Sequence, residues 1–208
     1  MNQDGKIKKY YRFHSGIYDA TRWLFLFNRK KAIEKLKLDP NDLIIDFACG
    51  TGLNIRQMIK KTKNISAIDF SEEMLNEAKK KYPGVNFFHG DACNFSFKEK
   101  ADKIICTYSI SLIENWKEAI KNMAMNLNEN GTLVILDFYQ WKNGFTKLFY
   151  PVFKWWLNIH NVNPELPVEQ ELKKYFKNVE MKTYLSGYNF IAIANKKLIR
   201  KGNDDKKA

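Results

Sequence analysis

The sequence predicts an α/β domain: a mostly parallel sheet of seven strands, helices on both faces, and an antiparallel hairpin at the C-terminal end. Three observations carry that expectation. Short, almost wholly apolar runs alternate with helix-period segments from residue 30 to about 138, as they do when crossover helices bury strands on both faces. A Gly-x-Gly turn, Gly50-Thr51-Gly52, stands between the first apolar run and a helical segment. Two strand-like pieces at 179–184 and 189–194 flank Ser186-Gly187 at hairpin spacing,.

The elements follow in order. A helix over 29–36 stops near Asp39-Pro40, and Leu43-Ile44-Ile45-Asp46-Phe47 reads as a buried strand,. Residues 53–61 read as a helix, 65–69 as a second strand, and Ser71-Glu72-Glu73-Met74 opens a helix with Ser71 as its N-cap,. Residues 85–88 and 103–107 give the third and fourth strands. A helix over 116–127 is expected to end at Asn130-Gly131, and Gly131 to launch a fifth strand over 132–138,. A helix over 168–176 precedes the hairpin.

Composition describes one ordinary globular domain: 208 residues, 45% hydrophobic and 14% aromatic. That excludes disordered, collagen-like and disulfide-scaffold classes. Cys49, Cys93 and Cys106 are odd in number and lack CxxC spacing, which suits reduced thiols,. His14, His89 and His160 stand singly, so no metal is expected,. The formal charge of +12 splits unevenly: residues 1–40 hold ten basic and four acidic side chains, 41–172 hold 15 and 16, and 173–208 hold ten and three. A neutral middle between basic ends argues against a nucleic-acid groove and for solubility or an anionic membrane surface. No apolar run approaches the roughly 20 residues of a membrane-spanning helix. The expected location is cytoplasmic, with the charge leaving open peripheral association at the inner membrane face.

The glycine turn follows a strand, where the backbone must bend sharply and a ligand must approach closely. The dinucleotide fingerprint needs a third glycine at position 55, where Ile55 stands,. Asp46 and Asp69 end successive strands and Asp91 follows the third, so the three carboxylates are expected to line one crevice at the carboxyl end of the sheet. An acid ending the second strand suits a ribose diol, and one after the third suits an adenine amine.

At this point the chain resembles the class I S-adenosylmethionine-dependent methyltransferases, with their Rossmann-like fold, over residues 41 to about 194. The family's cofactor loop is matched by Ile45-Asp46-Phe47-Ala48-Cys49-Gly50-Thr51-Gly52 and its ribose acid by Asp69. Phe70 and Met74 correspond to positions packing on ribose and adenine, Asp91 and Ala92 to the adenine motif, and Thr107, Tyr108 and Ser109 to the meeting point of methionine moiety and acceptor. The turn into the fifth strand is Asn-Gly where the family has Pro-Gly-Gly. The resemblance implies cofactor contacts from Asp46, Ala48, Gly50, Thr51, Gly52, Asp69, Phe70, Met74, Asp91, Ala92 and Thr107. It implies S-adenosylmethionine as cofactor, S-adenosylhomocysteine as product, and no metal.

For the acceptor, an Asn/Asp-Pro-Pro-Tyr motif is absent after the fourth strand, and Cys106 lacks the preceding proline of a covalent cytosine mechanism,. The stretch from Tyr10 to Arg29, containing Tyr18-Asp19-Ala20-Thr21-Arg22-Trp23, is similar to bacterial betaine-lipid enzymes that N-methylate diacylglyceryl-homoserine. That resemblance implies a lid over residues 1–40 in which Tyr18 touches the cofactor and Tyr11, His14 and Arg22 border the acceptor. Tyr18, Tyr108 and His14 are the expected catalytic residues; Tyr11, Arg22, Tyr139 and Trp141 the expected acceptor contacts. Residues 139–165 are read as an aromatic, cationic acceptor or interface insertion and 196–208 as a flexible basic tail, within one domain over 1–195. The expectation is N-methylation of a lipid head group. The alternatives are C- or O-methylation of a quinone or other small molecule, and a non-catalytic binding module. Oligomeric state stays open.

Overall fold

A computed structural model describes residues 26–141 and 146–197. Thirteen regular elements alternate along them: α1 (Arg29–Lys35), β1 (Ile44–Phe47), α2 (Ile55–Met58), β2 (Ile65–Asp69), α3 (Glu72–Lys81), β3 (Asn86–His89), β4 (Ala101–Thr107), α4 (Trp116–Met125), β5 (Leu127–Phe138), α5 (Thr146–Ile159), α6 (Val168–Leu172), β6 (Phe176–Tyr184) and β7 (Asn189–Lys197). The seven strands form one sheet in the order β3-β2-β1-β4-β5-β7-β6. All pairings up to β4 with β5 are parallel, and β7 runs antiparallel to both β5 and β6. The order reverses direction between β1 and β4, which opens a crevice at the carboxyl ends of those strands.

The sheet has a core on each face. Ile44, Ile55, Met58, Ile105 and Val134 fill one, and Ile45, Phe47, Ile104, Ile120 and Ile135 fill the other. Neighbouring residues of one strand thus serve opposite layers, as period-two geometry requires. Helix α3 shows how sequence sets an element. Ser71 accepts the Met74 N–H as its N-cap, Glu72 and Glu73 lie in the first turn, and Lys79, Lys80 and Lys81 lie in the last, matching the helix dipole at both ends. Its Met74, Leu75 and Ala78 form the buried stripe.

Several boundaries differ from the sequence expectation. Helix α2 keeps only four residues of the expected 53–61, since turns closed by Gly52 N–H to Cys49 and Ile55 N–H to Gly52 consume its start. A helix this short has no intrinsic stability; it is held by Ile55 and Met58, both fully buried, each worth about 1.5–3 kcal/mol. Asn130-Gly131 ends no helix. α4 stops at Met125, and β5 begins at Leu127 and runs through Gly131 with a register shift opposite Ala101 and Lys103. Gly131 is needed for close approach, because a Cβ there would meet Leu127 Cγ at 2.6 Å and the Asp102 carbonyl at 3.0 Å. Helix α6 ends at Leu172, and Phe176 already belongs to β6. The aromatic insertion contains α5, with Pro151 inside it, where proline normally signals a break.

Candidate functional site

The crevice holds a cavity of about 250 Å³ walled by the ends of β1, β2 and β4 and the loops that follow them. The cofactor loop bends through left-handed conformations at Ala48 (φ 53°), Gly50 (φ 56°) and Gly52 (φ 82°). At Gly50 an added Cβ would meet nothing within 4 Å, so the side-chain space there belongs to the cavity. Asp69 closes the turn: one carboxylate oxygen accepts the Gly50 N–H at 2.7 Å and the other the Ser71 N–H at 2.9 Å. Burial pushes its pKa up, and those N–H groups pull it back,. Across the cavity Asp91 accepts the Cys93 N–H at 2.8 Å.

The structure brings Ala48, Gly50, Thr51, Asp69, Phe70, Met74, Asp91, Ala92, Thr107 and Tyr108 to the cavity wall. It does not bring Asp46 there. Asp46 lies on the Ile44 face of β1, beneath the sheet's end and wholly buried, so only two of the three expected carboxylates, Asp69 and Asp91, line the crevice, joined there by Glu114. Gly52 is also off the wall, because its Cβ direction is filled by the Tyr82 ring at 3.0 Å. Tyr139 packs edge-on against Phe190 at 5.7 Å, and Trp141 stacks on Phe153 at 4.3 Å and 5°. Neither ring is part of the cavity lining. Tyr11, His14, Tyr18 and Arg22 lie outside the described residues.

Tyr108 lines the cavity, but its hydroxyl is engaged elsewhere. It donates to the Phe27 carbonyl at 2.6 Å and accepts from Asn189 Nδ2 at 2.9 Å. Burial pushes its ionisation well above the ordinary 10,. Both hydroxyl bonds hold Tyr108 between the chain before α1 and β7. Asn189 also accepts from Asn28 at 3.0 Å, so the chain before α1 is tied to β7 and β4 beside the cavity.

Sequence reasoning missed Arg29 and Asn54. Arg29 lines the cavity and donates to Thr107 Oγ1 and, at 2.9 Å, to Asn54 Oδ1. Asn54 in turn donates to Asp46 at 2.9 Å. Arg29 sat within a stretch already singled out, yet nothing in its spacing set it apart from Arg12 and Arg22. The other Asp46 oxygen is buried with no hydrogen-bond partner among the described residues. Burial raises the Asp46 pKa from 3.8 to about 7, against the opposing pulls of Asn54 and Arg29,.

The folded chain therefore keeps a proton on Asp46 that the unfolded chain has released between about pH 4 and about pH 7, and stability falls as pH rises through that window. Asp46→Asn is uncharged throughout. It is expected to flatten the decline in melting stability between about pH 4 and about pH 7 by up to about 4 kcal/mol. A variant whose melting curves keep the wild-type slope would contradict this.

Comparison with known proteins follows the same geometry. A methyltransferase domain profile matches residues 44–131, the span holding the glycine loop, Asp69, Asp91 and Thr107. The ubiquinone/menaquinone biosynthesis C-methyltransferase UbiE of Campylobacter jejuni is 31% identical over 160 residues, covering 69% of this chain and 68% of that protein. The chain belongs to the class I S-adenosylmethionine-dependent methyltransferases. A second relative of this methyltransferase, the demethylmenaquinone methyltransferase of Desulfitobacterium hafniense, is 25% identical over 190 residues, covering 76% of this chain and 75% of that one. In fold, the methyltransferase is similar to the Haemonchus contortus phosphoethanolamine N-methyltransferase 2 in complex with S-adenosyl-L-methionine. That likeness has a TM-score of 0.74 at 14% identity, over 94% of this chain and 60% of the other. The family's cofactor is S-adenosylmethionine, and the wall just described suits it. Asp69 and Asp91 offer acceptors, Arg29 a cation, and Phe70 and Met74 apolar surface to one ligand.

Proposed function

We propose that this methyltransferase moves the sulfonium methyl of S-adenosylmethionine to a ring carbon of a quinone-type acceptor in its reduced, hydroquinone form, the S–CH3 bond breaking as the C–CH3 bond forms and the ring proton leaving to solvent. The observation that carries the reading is the 31% identity to a quinone C-methyltransferase over two thirds of both chains. S-adenosylmethionine supplies an electrophilic methyl when bound, and the chain's own task is to align it, exclude water and balance charge. Asp69 would take the ribose hydroxyls, Asp91 the adenine amine and Arg29 the carboxylate of the methionine end. Thr107 and Tyr108 would stand at the methyl end. Leu26, Leu53, Leu112 and Ile113 add apolar wall, which suits a planar hydrophobic acceptor. Residues 1–40 would close over the cavity, with Tyr18 toward the cofactor and Tyr11, His14 and Arg22 toward the acceptor.

A second reading rests on the Tyr18-Asp19-Ala20-Thr21-Arg22-Trp23 stretch and its similarity to betaine-lipid enzymes: N-methylation of diacylglyceryl-homoserine, the quaternary product held by aromatic faces. Mass spectrometry of reactions with methyl-labelled S-adenosylmethionine separates the two. Label in a demethylated quinone and none in diacylglyceryl-homoserine is the expected result. Repeated labelling of the lipid amine with an untouched quinone would replace the first reading by the second. Cofactor binding without label in either would favour a non-catalytic module.

A further inference from the structure

Helix α5 has an uncharged apolar face that is largely exposed among the described residues. Leu148, Val152, Trp155 and Ile159 follow the i, i+4, i+7, i+11 spacing of one helical stripe, with Phe149 and Trp156 beside them, and all six are between 38% and 72% exposed. The opposite face is anchored: Leu157 is fully buried and Phe153 stacks on Trp141. Exposed aliphatic and indole groups this closely grouped mark an interaction surface.

The face lies on the cavity's side of the molecule. α5 follows the carboxyl end of β5, the end at which the crevice opens. The segment after α5 returns to the rim, where the Asn163 N–H bonds the Ser111 carbonyl at 2.9 Å, next to the cavity residue Leu112. Ring contacts run from Trp156 to Phe153 at 6.2 Å, to Tyr188 at 5.3 Å, and on to the exposed Phe27 at 5.7 Å. Phe27 adjoins Leu26 of the cavity wall.

We propose that the α5 face docks on an anionic lipid bilayer and sets the cavity rim at the membrane surface. Charge selects this occupant. Helix α5 carries Lys147 and Lys154 and no carboxylate, with Lys154 paired to Glu165, so a second copy on the same face would add like charge, whereas anionic head groups complement it. Exposed Lys147 sits beside the stripe, able to reach phosphates while Trp155 and Trp156 occupy the interfacial depth that indoles favour. The proposal goes beyond the choice of acceptor and holds for either one.

The test is co-sedimentation of the full chain with phosphatidylcholine vesicles, with and without phosphatidylglycerol. The wild type is expected to bind the phosphatidylglycerol vesicles and to release in high salt. The double variant Val152→Glu/Trp155→Glu should bind about tenfold less or weaker still, with unchanged S-adenosylmethionine affinity by calorimetry. Leu148→Ser/Ile159→Ser, a milder pair, should show a smaller loss in the same direction. Equal binding by wild type and both variants would overturn the proposal. So would a wild type that ignores both vesicle types, a dimer that the double variant splits, or a large drop in melting temperature showing that the face is packed within the folded chain.

Discussion

Asp69→Ala is expected to weaken S-adenosylmethionine binding by about a hundredfold, the loss of charge-assisted hydrogen bonds worth about 2.7 kcal/mol. Adenosine, which keeps the ribose, should lose affinity by a similar factor. The structure adds a second cost. Asp69 also holds the Gly50 and Ser71 N–H groups, so removing it leaves two part-buried donors to find new partners. Stability should fall by about 1–3 kcal/mol as the glycine loop loosens. Asp69→Asn retains one accepting oxygen and should fall between. Calorimetry showing wild-type affinity for both ligands in Asp69→Ala would remove the carboxylate from the ribose role.

Arg29→Ala should separate the two ends of the ligand. S-adenosylmethionine and S-adenosylhomocysteine, which carry the methionine carboxylate, are expected to bind about tenfold more weakly, the scale of one charge-assisted hydrogen bond. Adenosine should be unaffected. Arg29→Lys should recover part of the loss, since a point charge replaces a fork that reaches Thr107 and Asn54 together,. Equal losses for adenosine and S-adenosylhomocysteine would assign the arginine to holding the Asn54 and Thr107 network instead. The variant also removes the cation that favours ionised Asp46, so the stability decline toward neutral pH should steepen.

The parallel strands were legible because buried β runs carry few polar residues, and the β6–β7 hairpin because Ser186-Gly187 separates the alternating, half-exposed run of β6 from the apolar run of β7. The glycine loop, Asp69 and Asp91 were legible for a local reason: each lies within a few residues of a strand end, and the strand carries it to the crevice. Asp46 was misplaced by the same logic. Strand faces alternate with every residue, so an aspartate one position before the end of β1 faces the layer under the sheet. Arg29 and Asn54 were invisible because their partners are distant in sequence: Arg29 meets Thr107 across 78 positions and Asn54 meets it across 53. Helix α5 was hidden by Pro151. Aromatic composition alone did not reveal the ring contacts that Tyr139 makes with Phe190 and Trp141 with Phe153.

The place of β7 has a consequence for biosynthesis. The last strand of the described chain is an interior one, inserted between β5 and β6, and its register with β5 runs from Thr132 opposite Asn195 to Phe138 opposite Asn189. Until those residues leave the ribosome, β5 presents an open edge bearing Leu133, Val134, Ile135 and Leu136, a template for pairing with any other nascent chain. Asn189, whose side chain ties Tyr108 and Asn28 together, arrives with the same strand. The open side of β5 is covered and the residues beside the cavity are drawn together in one late step, so a chain interrupted before β7 would be both sticky and inactive.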